Sequence, residues 1–194
     1  NAFGRKEAEL LSRDEKTFDN SIAARFFSGR TVMVTGAGGT IGSEIVRQVA
    51  AAGASRILMV ERCENALYEI DRDMRSQAKS ASLIPLMVDI NDAAKMTEIF
   101  KSENPSVVLH AAAYKHVPMV ELNPDEGWRN NTEATRSIAK IALDNGVERF
   151  VLISTDKAVN PTNIMGASKR ICEMIVQEFN KYSETEFVAV RFGN

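Results

Sequence analysis

The amino-acid sequence predicts a doubly wound α/β domain organised on a parallel β-sheet, and three observations predict it. Short runs of continuously apolar residues recur along the chain from Thr31 onward. Between them lie stretches whose apolar residues repeat at helical spacing. The first apolar run leads into a glycine-rich turn and then a helix. A strand that is apolar on both faces must be covered on both faces, and helices crossing over either side of a parallel sheet do that.

Taken in order, residues 1–30 are charged and weakly patterned, with "RKEAELLSRDEK" expected to form a turn or two of helix in a linker or docking arm. "TVMVT" is the first strand, and Ile41, Ile45 and Val49 mark one face of the helix that follows, which Gly53 ends. "RILMVE" is the second strand, and Leu67, Ile70 and Met74 mark its helix. "LIPLMVD" is the third, followed by a helix carrying Met96, Ile99 and Phe100. "SVVLHAAA" is the fourth. A long helical stretch after Pro124, whose ring suits a first turn, carries Trp128, Ile138 and Ile141 and closes at Asn145-Gly146. "RFVLIST" is the fifth strand; Ile171, Met174 and Ile175 mark the next helix; "FVAVRF" is the sixth strand.

At 194 residues the chain is long enough for one well-buried domain, here residues 31–194, and short for two. The net charge of −2 and the scattering of Lys and Arg argue against a nucleic-acid or membrane-surface binder. Cys63 and Cys172 have no metal-type spacing, so the sequence predicts no metal site and reduced thiols. No apolar run approaches the length of a membrane span, and no signal peptide is visible. The chain opens on Asn1 and stops just after a strand, so it is expected to be a piece of a longer protein.

"VTGAGGTIGSE" places Gly36, Gly38, Gly39 and Gly42 between the first strand and its helix. A diphosphate-binding turn needs a tight bend, backbone free of Cβ, and close helix–strand packing, which is the Rossmann arrangement. The N–H groups at Thr40 and Ile41 then face the diphosphate with the positive end of the helix dipole. Glu61, closing the second strand, can accept from the adenosine ribose and repel a 2′-phosphate; Arg62 beside it could instead hold that phosphate. The balance favours NAD over NADP. Asp89 and Ile90 either flank the adenine or, for Asp89, cap the following turn. Ala111, Ala112 and Ala113, at the end of the fourth strand, complete the cofactor side.

Ligands in this architecture bind outside the carboxyl ends of the strands. Polar clusters fall there: Lys115 and His116, the "STDK" strand end with Thr155, Asp156 and Lys157, and Asn160 in the turn beyond it. Lys115, His116, Asn160 and the terminal Asn194 are the candidate contacts to a second substrate. Met165 and Lys169 stand four residues apart, on one face of the next helix.

"TGAGGTIGSE", "AAAYKHVPMVE", "STDKAVNPTNIMGASK" and "RFGN" together resemble the extended short-chain dehydrogenase/reductase superfamily. Within it they are similar to the CapD-like polysaccharide-biosynthesis family of membrane-associated nucleotide-sugar 4,6-dehydratases. The resemblance runs from about Arg30 to the last residue. It implies an internal redox cycle: hydride leaves the sugar C4 for NAD, water is lost across C5 and C6, and hydride returns at C6. The roles it implies are a hydroxyl at Thr155, an acid at Asp156 and a base at Lys157. Lys169 would hold the nicotinamide ribose. Met165 stands where most relatives of the superfamily carry a tyrosine, and a thioether transfers no proton. Deprotonation of the C4 hydroxyl then passes to Asp156 or, second, to Lys157.

The same resemblance implies a UDP-sugar substrate, UDP-N-acetylglucosamine first. It also implies a homo-oligomer, and a full-length protein at the cytoplasmic face of the bacterial inner membrane, attached through a region outside this chain. The substrate-recognising part would lie beyond Asn194. Two alternatives stay open: an epimerase or a dehydratase with C5 inversion, and a non-catalytic dinucleotide-binding domain.

Overall fold

The computed structural model describes residues 20–77 and 80–193. Helix α1 (Asn20–Phe27) precedes β1 (Thr31–Thr35), α2 (Thr40–Ala51), β2 (Arg56–Glu61), α3 (Glu64–Gln77), β3 (Ser82–Met87), α4 (Ala93–Glu103) and β4 (Val107–His110). Then come α5 (Val117–Leu122), α6 (Pro124–Trp128), a π-helical turn (Arg129–Glu133), α7 (Ala134–Asp144), β5 (Arg149–Thr155), a 3₁₀ turn (Asp156–Ala158), α8 (Ile164–Lys181) and β6 (Glu186–Phe192).

The six strands run parallel in the order β3-β2-β1-β4-β5-β6. The chain therefore starts in the middle of the sheet, builds outward to β3, returns to β4 and builds outward the other way. The turns leaving β1 and β4 diverge to opposite faces and open a crevice between them. That crevice holds the site described below.

Side chains alternate between two cores because successive strand residues point to opposite faces. Val32, Val34, Ile57 and Met59 pack against Val46 and Val49 of α2 and Leu67, Ile70 and Met74 of α3. Met33, Leu58, Val108, Phe150 and Leu152 pack against Met96 and Phe100 of α4, Ile138 of α7, and Cys172 and Val176 of α8. Fully burying a ring such as Phe100 or Phe150 contributes roughly 2–3 kcal/mol.

The helical faces differ in detail from those expected. Ile41 is exposed, and Gly42, Val46 and Val49 form the packed face of α2. Gly42 has to press against the loop before it, and that contact sets the rotation of the helix. On α8, Met174 is exposed while Met165, Ser168, Lys169, Cys172, Ile175 and Val176 face inward. The long helix expected after Pro124 is interrupted by the π turn, and Trp128 is partly exposed instead of packed. Helix α5 lies in what the sequence presents as a loop.

The "RKEAELLSRDEK" stretch lies outside the described residues. Residues 20–30 of the expected arm hold α1, which docks through Ala23 and Phe27, with Arg149 over the Phe26 ring at 4.6 Å and an Arg30–Glu148 pair. Among the described residues no helix is long and apolar enough to cross a membrane. Beside α2, the far ends of β5 and β6 leave an apolar groove of about 340 Å³, lined by Phe27, Ile41, Ile45, Ile153, Val190 and Phe192.

One buried charge ties α8 to the β5–β6 edge. Glu173 accepts both ends of the Arg191 guanidinium at 2.8 and 2.7 Å, the Ser154 hydroxyl at 2.8 Å and Arg170 at 3.1 Å. Burial alone would raise its pKa, but the hydrogen bonds from Arg191, Ser154 and Arg170 outweigh it and lower the value from 4.5 to about 2. A depressed folded-state pKa contributes stability above the unfolded value, and that contribution is lost as pH falls from about 4.5 through about 2. Denaturant midpoints taken from pH 7 down to pH 2 should therefore fall less steeply in Glu173→Gln than in the wild type. At pH 7 the variant should be less stable by roughly 1–3 kcal/mol, since the amide keeps only part of the charge-assisted hydrogen bonding to Arg191, Arg170 and Ser154. Parallel pH profiles would show that Glu173 does not carry this dependence.

Candidate active site

The glycine loop is built by exclusion of side chains. Gly36 adopts a left-handed φ of 67°, and a Cβ there would lie 2.7 Å from the Ala112 Cα. A Cβ on Gly42 would lie 1.9 Å from the Gly36 carbonyl oxygen. Only glycine allows the loop to bend under the β4 turn and α2 to seat on the loop. Gly38 is turned away from the crevice, against Ala66 of α3, while Gly36 and Gly39 line the crevice. Gly39 is the N-cap of α2 and supplies no side-chain cap, so the first N–H groups of the helix, from Thr40 on, are left for another acceptor.

The first cleft, about 300 Å³, is lined by Gly36, Gly39, Glu61, Arg62, Ile90, Ala111, Ala112 and Ala113, with Tyr114 and Asn130 at its side. Glu61 braces the loop: its carboxylate accepts from the Cys63 N–H at 2.9 Å and the Gly38 N–H at 3.3 Å. Arg62 reaches across the cleft to the Tyr114 hydroxyl, lies 4.9 Å from the centre of that ring, and pairs with Asp89 at 3.6 Å. The Tyr114 hydrogen bond, with Asp89 assisting, raises the Arg62 pKa. Asp89 caps a turn, accepting from the Asn91 N–H and side-chain amide, both at 2.9 Å. Burial pushes its pKa up, but the Asn91 hydrogen bonds and Arg62 hold it below the usual carboxylate value. Of the two roles open to Asp89, the side chain makes the turn-capping contact, and Ile90 lines the cleft.

A second cleft, about 390 Å³, shares Ala111 and Ala113 with the first. Its walls are Ile41, Lys115, His116, Thr155, Lys157, Met165 and Lys169, with Phe192 and Gly193 at one end. Met165 and Lys169 are buried side by side on α8. Lys169 Nζ donates to the Ile153 carbonyl at 3.0 Å, and burial lowers its pKa against the pull of Cys172 and Glu173. The Thr155 hydroxyl donates to Asp156 at 2.9 Å and accepts from the Lys157 N–H at 3.3 Å. Asp156 is exposed at the rim, 3.9 Å from Lys157 Nζ, and is not among the residues lining the cleft. Asn160 sits in an exposed left-handed turn away from the cleft walls, and Asn194 lies outside the described residues.

Sequence reasoning missed the buried polar groups behind these clefts. His110 bridges Thr35 at 2.7 Å and Thr135 at 2.9 Å. Asn131 holds both the N–H and the carbonyl of Tyr114, at 2.8 and 3.0 Å, and the Ser168 hydroxyl at 3.1 Å. The available signals were a histidine ending an apolar strand and an Asn-Asn pair inside a helical stretch, where polar residues need a reason to be inward.

A glycine loop at the switch point of a β3-β2-β1-β4-β5-β6 parallel sheet, with an acidic residue closing β2, defines a Rossmann domain. The chain belongs to the polysaccharide biosynthesis protein family, whose model matches residues 32–194. It is 44% identical over 188 residues to the capsular polysaccharide biosynthesis protein CapD of Staphylococcus aureus, covering 96% of this chain and 31% of that protein. It is 46% identical over 190 residues to the probable polysaccharide biosynthesis protein EpsC of Bacillus subtilis, covering 97% and 32%. The chain thus spans about a third of these relatives' length. A UDP-N-acetylglucosamine 4,6-dehydratase (inverting) of Campylobacter jejuni is 28% identical over 177 residues, covering 87% of this chain and 50% of that one. Among solved structures, Pen from Bacillus thuringiensis superimposes with a TM-score of 0.80 at 31% identity, covering 87% and 53%.

Gly42→Ala should be among the most damaging single changes in the chain. The added methyl meets backbone at 1.9 Å, so loop and helix must separate. A destabilisation of about 3 kcal/mol or more is expected, measured by denaturant unfolding. A variant with near-normal stability would show that the loop relaxes freely.

Proposed function

We propose that the chain carries the dinucleotide cleft and catalytic side chains of a nucleotide-sugar 4,6-dehydratase, with UDP-N-acetylglucosamine as the first-choice substrate. One observation carries this reading. Thr155, Lys157 and Lys169 line a cleft that shares Ala111 and Ala113 with the glycine-loop cleft. The similarity to the Campylobacter dehydratase supports the substrate class. In the full-length protein, polypeptide outside this chain would complete the sugar-nucleotide pocket. That protein would act as a homo-oligomer at the cytoplasmic face of the bacterial inner membrane.

The residues present fit a nicotinamide dinucleotide. Gly36 and Gly39 line the first cleft with bare backbone, and the uncapped start of α2 offers N–H donors to a diphosphate. When bound, the nicotinamide supplies a reversible hydride acceptor. Lys169, donating from a buried position, holds the ribose on the nicotinamide side. Thr155 holds the sugar oxygen at C4. Asp156 protonates the departing oxygen at C6, and Lys157 takes the proton from C5. Asp156 becomes that acid by first removing the C4 hydroxyl proton, which the Met165 thioether cannot accept; if Lys157 removes it instead, it must pass that proton on before it takes the one from C5.

Glu61 lines the first cleft, and Arg62 is already engaged by Tyr114 and Asp89. NAD should bind at least tenfold more tightly than NADP in direct titrations, and Glu61→Ala should narrow the gap. Equal or tighter NADP binding would assign the discrimination to Arg62.

Incubating the full-length protein with UDP-N-acetylglucosamine should yield a 4-keto product lighter by one water. Asp156→Asn and Lys157→Ala should each abolish it with little change in NAD affinity. Met165→Leu should keep most of the turnover and cost under about 1.5 kcal/mol in stability, whereas Lys169→Ala should lose both turnover and NAD affinity. A C4-inverted product of unchanged mass would identify an epimerase. Binding of NAD with no product from any UDP-hexose would identify a non-catalytic domain, the reading that Met165 favours.

A further inference from the structure

A chain of buried hydrogen bonds runs from the floor of the dinucleotide cleft to the first turn of α8, and its chemistry permits one arrangement of protons. The Thr135 hydroxyl has a single hydrogen, and it lies 2.6 Å from the Asn131 carbonyl, which can only accept. His110 Nε2, 2.9 Å from the same hydroxyl oxygen, must then be the donor. A neutral imidazole with Nε2–H leaves Nδ1 as an acceptor, so the Thr35 hydroxyl, 2.7 Å away, donates to it. The Thr35 oxygen in turn accepts the Ala112 N–H at 3.3 Å. Protonating His110 would turn Nδ1 into a second donor toward Thr35 and strand the Thr35 hydrogen in the core. Burial, with the Lys169 charge adding to it, keeps the ring neutral, with a pKa lowered to about 3.

Both ends of this chain finish on the walls of the site. At one end, Ala112 is the residue whose backbone closes over Gly36. At the other, Asn131 grips the Tyr114 main chain and the Ser168 hydroxyl, which donates to the Met165 carbonyl at 2.7 Å. Asn130 and Asn131 are both buried in the π turn at Arg129–Glu133.

We propose that Thr35, His110, Thr135 and Asn131 form a one-directional positioning network that sets the floor of the dinucleotide cleft and holds it in register with the Met165–Lys169 turn. His110 acts in it as a fixed Nε2–H linker and exchanges no proton with substrate. The proposal rests on the reading of the first cleft as a dinucleotide site.

The test uses the full-length protein and NAD as the probe. Thr35→Val and Thr135→Val keep shape and remove the hydroxyl, and each should weaken NAD binding about tenfold. Thr35→Ser and Thr135→Ser restore the hydroxyl and should bind within about twofold of the wild type. The double Val variant should be no weaker than the poorer single one, because either change alone breaks the chain. Val variants that bind as the wild type does, or Ser variants that lose as much as Val, overturn the positioning role. Nitrogen-15 spectra of the wild type with labelled histidine give a second reading that needs no variant to fold. They should show His110 protonated at Nε2 alone across pH 5–8, and an Nδ1–H tautomer or an imidazolium overturns the network. If the wild type binds neither NAD nor NADP, the dinucleotide reading itself fails and the positioning role falls with it; the spectra still judge the proton order separately.

Discussion

The contact on which the rest of the site depends is the approach of the glycine loop to the backbone on either side of it. Gly42 of α2 lies against the Gly36 carbonyl, and Gly36 lies against Ala112 beyond β4, both closer than any side chain allows. Because β1 and β4 are neighbours, this contact brings the two diverging turns of the sheet together at one point. The start of α2, the end of β2 and the alanine floor all take their positions from it. Rotation of α2 follows too, which is why Gly42, Val46 and Val49 face the sheet and Ile41 is left for the second cleft.

Behind that contact, the interior is polar where an apolar core would have been simpler. Thr35, His110, Thr135 and Asn131 are all buried, and each hydrogen-bonding group of the chain they form has a partner. Satisfied buried networks of this kind favour a single arrangement, because any slip leaves a donor or acceptor unpaired at about 1–3 kcal/mol. Such rigidity suits a site whose two clefts share a wall only a few residues wide.

On the opposite side of the second cleft the holding force is ionic. Glu173 gathers Arg191 from β6 and Ser154 from β5 beneath α8, so the helix bearing Met165 and Lys169 is fixed to the strands whose ends bear Thr155 and Phe192. Lys169 is thereby kept in a buried position with a carbonyl for company. Met165 fills the space beside it with a side chain that packs but moves no proton.

The alternation of strands and helices, the parallel sheet, the glycine loop, the acidic end of β2 and the polar strand ends were all legible in the sequence. Each depends on properties local to a few residues: side-chain period, absence of Cβ, or the chemistry at a strand terminus. What the sequence could not show is which distant groups meet. Thr35 and His110 are 75 residues apart, and Cys172 and Asn131 are 41 apart. Their pairing exists only once β4 has been inserted beside β1 and α8 has packed across α7. The same holds for Asp89, whose carboxylate turns to Asn91 and Arg62, and for Asp156, left at the rim while its neighbours line the wall. Local sequence determined the backbone's course and the kinds of chemistry at its turns. Tertiary structure decided which side chains are desolvated, and so which of them hold hydrogen bonds to one another and which are left facing the clefts.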